Sequence, residues 1–319
     1  MKILTGVKIL DLTTLLPGPL TGSMLEILGA EVLKIEPPQG DQARAFPELF
    51  SLLNKSKNII KLDFKTKEGK EELYKLITSA DVLIENYKPG TTDKLNINYS
   101  KLASINTKLV YCSLMGYSKN HELHHFAGHD INFLGLSGLL DLMKSEKTNS
   151  INLPNFQLAD IAGGTYPALA GILGALYQVE KIKKGCHINI SILENLRPFY
   201  SFILETIKES NPTYSNVLSG EQACYSVYKT SDEKYMCLGA FEEKFFQLFI
   251  MTLGLPNLID SHLKKCIKTE NVKELITKKI SSQTQSYWID LFKGIDCCFT
   301  PVLAPEEFKI VPPFYYSQV

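Results

Sequence analysis

Residues 7–36 read VKILDLTTLLPGPLTGSMLEILGAEVLKIE. Val7 to Leu12 is a short apolar run of strand length, Leu20 to Leu28 has its apolar residues at helical spacing, and Glu31 to Ile35 is a second strand-length run. Parallel strands need a crossover, which is usually a helix, so strand–helix–strand is the unit of a parallel sheet. The pattern continues outward. Asn58 to Leu62 is strand-like, and Thr66 then offers an N-cap to a segment with Leu73, Leu76, Ile77 and Ala80 on one face. Val82 to Glu85, Leu109 to Leu114 and His187 to Ile192 complete the alternation. The expected fold is α/β: a doubly wound, Rossmann-like parallel sheet over residues 1–209 with helices on both faces.

Ile161 to Gln178 lies within the longest uncharged run. With four glycines and Pro167 it is slightly short for a membrane span and reads as a buried helix packed closely through small residues. Ser191 to Lys208 reads as a long helix. Residues 210–223 are polar and turn-rich, as a linker would be. Residues 224–302 read as a second, smaller α+β domain in which YSVYKT and KYMCLGAF form antiparallel strands joined at Ser231-Asp232-Glu233. Residues 303–319 form a short Pro-rich tail.

Lys plus Arg and Asp plus Glu both number 34 in 319 residues, so no global field attracts nucleic acid or anionic lipid, and an anionic ligand must be held by local cations. The seven cysteines, Cys112, Cys186, Cys224, Cys237, Cys266, Cys297 and Cys298, have neither CxxC nor zinc spacing. They fit reduced thiols in a cytoplasmic setting. Lys8 and Asp11 break the opening apolar stretch, which therefore does not read as a signal peptide. The first strand-to-helix turn, LLPGPLTG, lacks the GxGxxG glycines. Glu36 alone, at the usual place of a ribose-binding acid, does not make an NAD site. P-loop and GxSxG patterns are absent from the sequence.

Four segments in order, VKILDLTTLLPGPLTGSMLEILGAEVLKIEPPQGD, NKSKNIIKLDFKTKEGKEEL, ADVLIENYKPGTTDKL and KLVYCSLMGY, resemble the family III CoA-transferases. That superfamily includes carnitine and formyl-CoA transferases, and the resemblance runs from about Val7 to Pro301. GHDINFLGLSG (Gly128 to Gly138), LADIAGG (Leu158 to Gly164) and YSVYKTSDEKYMCLGAFEEKFF resemble its α-methylacyl-CoA racemase branch. The resemblance implies His129 and Asp160 as the catalytic pair, with Glu242 as a carboxylate supporting the histidine. It implies coenzyme A contacts at Leu62, Lys65, Asn86 and Tyr87 on the adenine side. Lys88 and Lys94 are the basic positions after the fourth strand, and Gly128, Asp130, Ile131, Asn132 and Phe133 lie at the thioester end. It also implies an interlocked homodimer whose site lies between domains and draws on both subunits. No metal or redox cofactor is expected, because coenzyme A is part of the acyl-CoA substrate.

The chemistry suits these residue types. The hydrogen beside a thioester carbonyl is a weak acid, and racemisation removes it from one face and returns a proton to the other. Two acid/base groups on opposite sides are needed, and His129 and Asp160 qualify. The enolate oxygen needs a donor, for which the Asp130 N–H is the candidate; helix starts are expected just after His129 and just after Asp160. Taken singly, His129 is an ordinary structural histidine, Asp160 an N-cap, Glu242 a surface acid and each lysine a solvated charge; the motifs assign them. His124 and His125 read as loop residues and His187 as structural.

This sequence departs from the family pattern in places. Pro37 or Pro38 stands where many relatives carry an Arg facing CoA, with Arg44 as a nearby substitute. From Pro301, PVLAPEEFKIVPPFYYSQV is shorter than the relatives' final stretch. YSNVLSGEQACY has one glycine where the transferases carry a glycine run, which favours the racemase branch. The expected function is racemisation of 2-methylacyl-CoA through an enolate. The alternatives are CoA transfer between carboxylic acids, with Asp160 as nucleophile in an aspartyl-CoA intermediate, and a truncated CoA-binding paralogue without catalysis.

Overall fold

The computed structural model describes residues 2–144, 150–199, 218, 220–263, 266–267 and 270–308. The described residues up to 199 form one compact unit and those from 218 to 308 a second.

The first unit is built on six strands: β1 (Lys8–Asp11), β2 (Glu31–Glu36), β3 (Asn58–Lys61), β4 (Val82–Glu85), β5 (Val110–Met115) and β6 (Cys186–Ser191). They lie in the order β3-β2-β1-β4-β5-β6, and each pairing is parallel. The chain winds outward from β1 to β3 and then resumes on the other side with β4. The strand order therefore reverses between β1 and β4, where open α/β sheets form their ligand crevice.

Among the described residues this unit holds nine α-helices: α1 (Gly18–Ile27), α2 (Pro47–Asn54), α3 (Lys67–Ile77), α4 (Thr91–Leu95), α5 (Tyr99–Ala103), α6 (Asp130–Leu136), α7 (Leu139–Leu142), α8 (Tyr166–Ile182) and α9 (Ile192–Asn195). Alternate strand residues bury opposite faces. Ile9, Val32, Ile84, Cys112 and Ile190 pack with Met24 and Leu25 of α1 and Leu169 and Ile172 of α8. Leu10, Ile35, Leu83 and Tyr111 pack with Leu73 and Ile77 of α3 and Leu102 of α5. Each large apolar side chain buried in this way contributes about 1.5–3 kcal/mol. The expected cap is present, with the Thr66 hydroxyl accepting the Gly69 N–H at 3.0 Å.

Two expectations change. The run from Ile161 is not one helix buried all round: residues Asp160–Thr165 are π-helical, and α8 exposes Tyr166 and Tyr177 on its outer side. Pro167 has no N–H for the α-helical ladder, which accounts for the change of winding before α8. The small-residue packing does occur at Gly164, where an added Cβ would run into the Pro17 ring. The long helix expected from Ser191 begins as the short α9 and turns at Leu196, and its part beyond residue 199 lies outside the described residues.

In the second unit β7 (Tyr225–Lys229) and β8 (Tyr235–Gly239) pair antiparallel, and Phe299–Pro301 adds along β8. Helices α10 (Glu243–Leu253), α11 (Val272–Ile280) and α12 (Gln285–Leu291) cover them. Phe246, Phe249, Ile276 and Trp288 are buried in its core, and the Trp288 indole N–H donates to the Ile280 carbonyl at 2.8 Å. Most of the linker expected at 210–223 and the tail beyond 308 lie outside the described residues. No described helix is long and apolar enough to cross a membrane.

Candidate active site

A cleft of about 270 Å³ opens over the carboxyl ends of β1, β4 and β5, at the switch point. Its walls are the loop after β1 (Thr14 to Pro17), the loop after β4 (Asn86 to Pro89), the end of β5 with Tyr117, and the start of α6. The β1 loop is held by buried charge. Lys34 and Asp41 pair at 2.8 Å, both side chains fully buried, and Lys34 Nζ also donates to the Thr13 carbonyl at 2.8 Å. Asp11 pairs with Lys57 at 3.0 Å, also fully buried, and accepts the Thr13 N–H. Burial alone would raise the Asp11 pKa, but Lys57, Lys34 and the Thr13 hydrogen bond together outweigh it and hold the carboxyl below the usual range. The Asp41 carboxylate accepts the N–H of Leu15, whose φ of 59° is left-handed for a branched residue. Strain of this kind concentrates at functional sites, and Leu15 lines the cleft.

His129 precedes α6 in extended backbone. Its N–H donates to Asn132 Oδ1 at 3.0 Å, and its carbonyl accepts the Asn132 N–H at 2.8 Å. Asn132 therefore orients the helix start. Phe133 is buried against Tyr117, and an added Cβ on Gly128 would lie 2.7 Å from the Tyr117 hydroxyl and 2.8 Å from the Phe133 ring. Only glycine lets the chain pass these rings on its way to His129. The His129 side chain is exposed to the cleft.

Asp160 opens the π-helical turn, a deviation common at functional sites. The helix does not start after Asp160 as expected: Leu158 and Ala159 are already helical, so Asp160 lies inside the first turn rather than at its cap. The Asp160 N–H donates to Asp130 Oδ1 at 2.8 Å. Burial, then the neighbouring Asp130 charge, pushes the Asp160 carboxyl up to about 7. Asp130 is itself raised, chiefly by burial. A carboxyl that titrates near neutrality can serve as either acid or base.

A second cavity of about 610 Å³ shares Leu15, Leu16, His129 and Asp160 with the first. Phe46, Leu49, Ile131, Leu134, Leu153 and Phe156 give it an apolar lining, and it includes no Lys or Arg among the described residues. His129 and Asp160 therefore stand where two cavities meet.

The first cleft brings together Asn86, Tyr87, Lys88, Gly128, His129, Phe133 and Asp160; the second adds Asp130 and Ile131. Asn86 turns its amide to the β1 loop, accepting the Thr14 N–H at 3.1 Å and donating to the Thr14 carbonyl at 2.9 Å. Leu62 is half-buried against the α3 side of the sheet, and Lys65 and Lys94 are exposed; none of the three lines either cavity. Glu242 lies in the second unit, just before α10. Arg44 is bound bidentately to the buried Glu36, with both shorter contacts at 2.9 Å, and lies over the Phe50 ring. That pairing also accounts for Glu36, the acid that ends β2. Sequence reading missed the strained Leu15 loop, the effect of Asp130 on Asp160, and His124. The His124 ring lines the first cleft with a buried Nδ1 that has no hydrogen-bond partner among the described residues. The adjacency of Asp130 to His129 was the one available signal.

Fold and cleft together define an α/β protein with a cleft at a sheet switch point and with His129 and Asp160 at the junction of two cavities. The pattern of CoA-transferase family III matches residues 4–315, and the chain belongs to that family. It is 32% identical over 307 residues to the α-methylacyl-CoA racemase of Homo sapiens, covering 95% of this chain and 78% of that one. It is 30% identical over 318 residues to the succinyl-CoA:glutarate CoA-transferase of the same species, covering 95% and 72%. Among solved structures, a CaiB/BaiF family protein from Brucella suis superposes with a TM-score of 0.78 at 25% identity, covering 94% of this chain and 84% of that one.

Proposed function

We propose that this protein racemises 2-methylacyl-CoA thioesters by moving a proton at the carbon beside the thioester carbonyl. The observation that carries the reading is the pair His129 and Asp160 at the meeting of two cavities, with the Asp160 carboxyl pushed up to about 7. The CoA moiety enters over the strand ends, where Tyr87 and the Lys88 ammonium line the wall. Leu62, Lys65 and Asn86 support it from the adenine side, and Lys94 is a further basic position after β4. The acyl chain turns into the apolar cavity, and the thioester lies against Gly128 to Phe133. One member of the pair takes the α-proton, the Asp130 N–H faces the enolate oxygen, and the other member returns a proton from the opposite side. Glu242 orients His129, and the active species is a homodimer.

The apolar cavity favours this over transfer to a dicarboxylic acid, since a second carboxylate would find no cation among the described residues of its lining. The test is incubation with 2-methylacyl-CoA in deuterated water without an acceptor acid. The expected result is α-deuteration with loss of chirality. Absence of exchange, with CoA transfer once an acceptor acid is supplied, would move the assignment to the transferase reaction through Asp160. Silence in both assays, with CoA still bound, would leave a non-catalytic CoA-binding protein.

A further inference from the structure

Glu85 ends the central strand β4, where all four residues are buried, and it is 5% exposed. The proposed proton transfer does not use it, and no cation pairs with it among the described residues. An unpaired buried carboxylate is costly and persists where its acceptor oxygens are needed. Both oxygens are engaged. Oε1 accepts the Ser113 hydroxyl of β5 at 2.5 Å, and Oε2 accepts the Tyr87 N–H at 2.8 Å. Ser113 Oγ also lies 2.9 Å from His187 Nε2 on the edge strand β6. The His187 ring is stacked on Tyr99 and set edge-on to Tyr111, with ring centroids 5.1 Å away in each case.

These contacts form a brace across the carboxyl edge of the sheet. It runs from His187 through Ser113 to Glu85, from Glu85 to the Tyr87 backbone, and from neighbouring Asn86 to Thr14 in the β1 loop. Its inner end is the loop carrying Tyr87 and Lys88 into the first cleft. A neutral side chain without acceptor oxygens would leave the Tyr87 N–H unsatisfied at the point where the chain leaves the strand.

We infer that Glu85 is a positioning residue for coenzyme A: its carboxylate fixes the loop from Asn86 to Pro89, and Ser113 and His187 hold the carboxylate in place. This rests on reading the first cleft as the CoA site, but not on the racemase reaction.

The test is calorimetric titration with CoA itself, alongside the deuterium-exchange assay. Glu85→Ala is expected to weaken CoA binding by about tenfold, the effect of losing a hydrogen bond to a charged acceptor. The exchange rate at saturating substrate should change less than about twofold, because the acid/base pair is untouched. Glu85→Gln should recover most of the affinity. Its carbonyl accepts the Tyr87 N–H, its amide donates to Ser113, and the Ser113 hydroxyl turns to His187. If Glu85→Ala fails to fold by circular dichroism, Ser113→Ala decides the matter, with CoA binding expected to weaken by about threefold. Wild-type affinity in the folded variants overturns the proposal, as does a Glu85→Gln protein no better than Glu85→Ala, or a loss confined to the rate at saturation. Wild-type protein that binds CoA and exchanges no proton overturns the racemase reading and leaves this one standing.

Discussion

On the proposed mechanism, Asp160 and His129 must share one proton between them. With the pair unprotonated there is no acid to complete the reaction, and with both protonated there is no base. The two hands of a substrate differing at one carbon are nearly equal in free energy, so kcat/KM must follow the same pH curve in both directions. That curve is a bell whose limbs belong to the pair. Because burial and then Asp130 push the Asp160 carboxyl up to about 7, one limb should fall near neutrality instead of in the ordinary carboxylate range. Asp130→Asn removes the charge contribution, retains an acceptor for the Asp160 N–H, and leaves burial as it was. The limb should move to lower pH, as measured by exchange rates across a buffer series; an unmoved limb would show that Asp130 does not tune the pair. Asp160→Asn should fold normally and lose about a hundredfold to ten-thousandfold in rate, the usual contribution of a general acid or base.

The loop between β1 and α1 shows the same economy at the scale of an element. Its backbone is strained at Leu15 and held from below by two fully buried ion pairs. Lys57→Met would leave Asp11 charged and buried without its partner, at a cost of about 3–5 kcal/mol. Urea denaturation should show this loss, whereas removing the exposed Lys67–Glu71 contact at 3.7 Å should leave the midpoint unchanged. Equal midpoints for the two variants would show that the buried pair does not hold this loop. These elements also mark what a sequence discloses. The six strands were legible because buried parallel strands are near-continuous apolar runs, and Thr66 because capping is a local contact. Lys34, Asp41, Asp11 and Lys57 look like scattered surface charges in the sequence, since nothing local says that they meet. The π-helical turn at Asp160 was hidden inside an apolar run that α-helical periodicity fits equally well. Asn86 was legible as a cleft residue, but its clamp on Thr14 depends on the β1–β4 pairing and could not be read from either segment.

The whole chain is electrically neutral yet exposes much apolar surface. On α8, Tyr166, Tyr177 and Ile182 are each more than half exposed, with Ala170 and Gly174 also exposed along the helix. Exposed apolar surface of this kind marks an interaction face, and small residues between the tyrosines leave room for a close neighbour. A second copy of the chain is the partner implied by the family resemblance, and a two-fold arrangement is the commonest for identical chains. Zero net charge removes the repulsion that would oppose self-association. Sedimentation equilibrium should therefore give twice the chain mass of 35.8 kDa. Tyr177→Glu places a charge on the exposed face and should shift the population toward the single-chain mass, while a solvated surface tyrosine would tolerate the change. A wild-type chain that sediments at 35.8 kDa at assay concentration and still exchanges the α-proton would separate catalysis from assembly, and would require the complete acid/base machinery to lie within one copy.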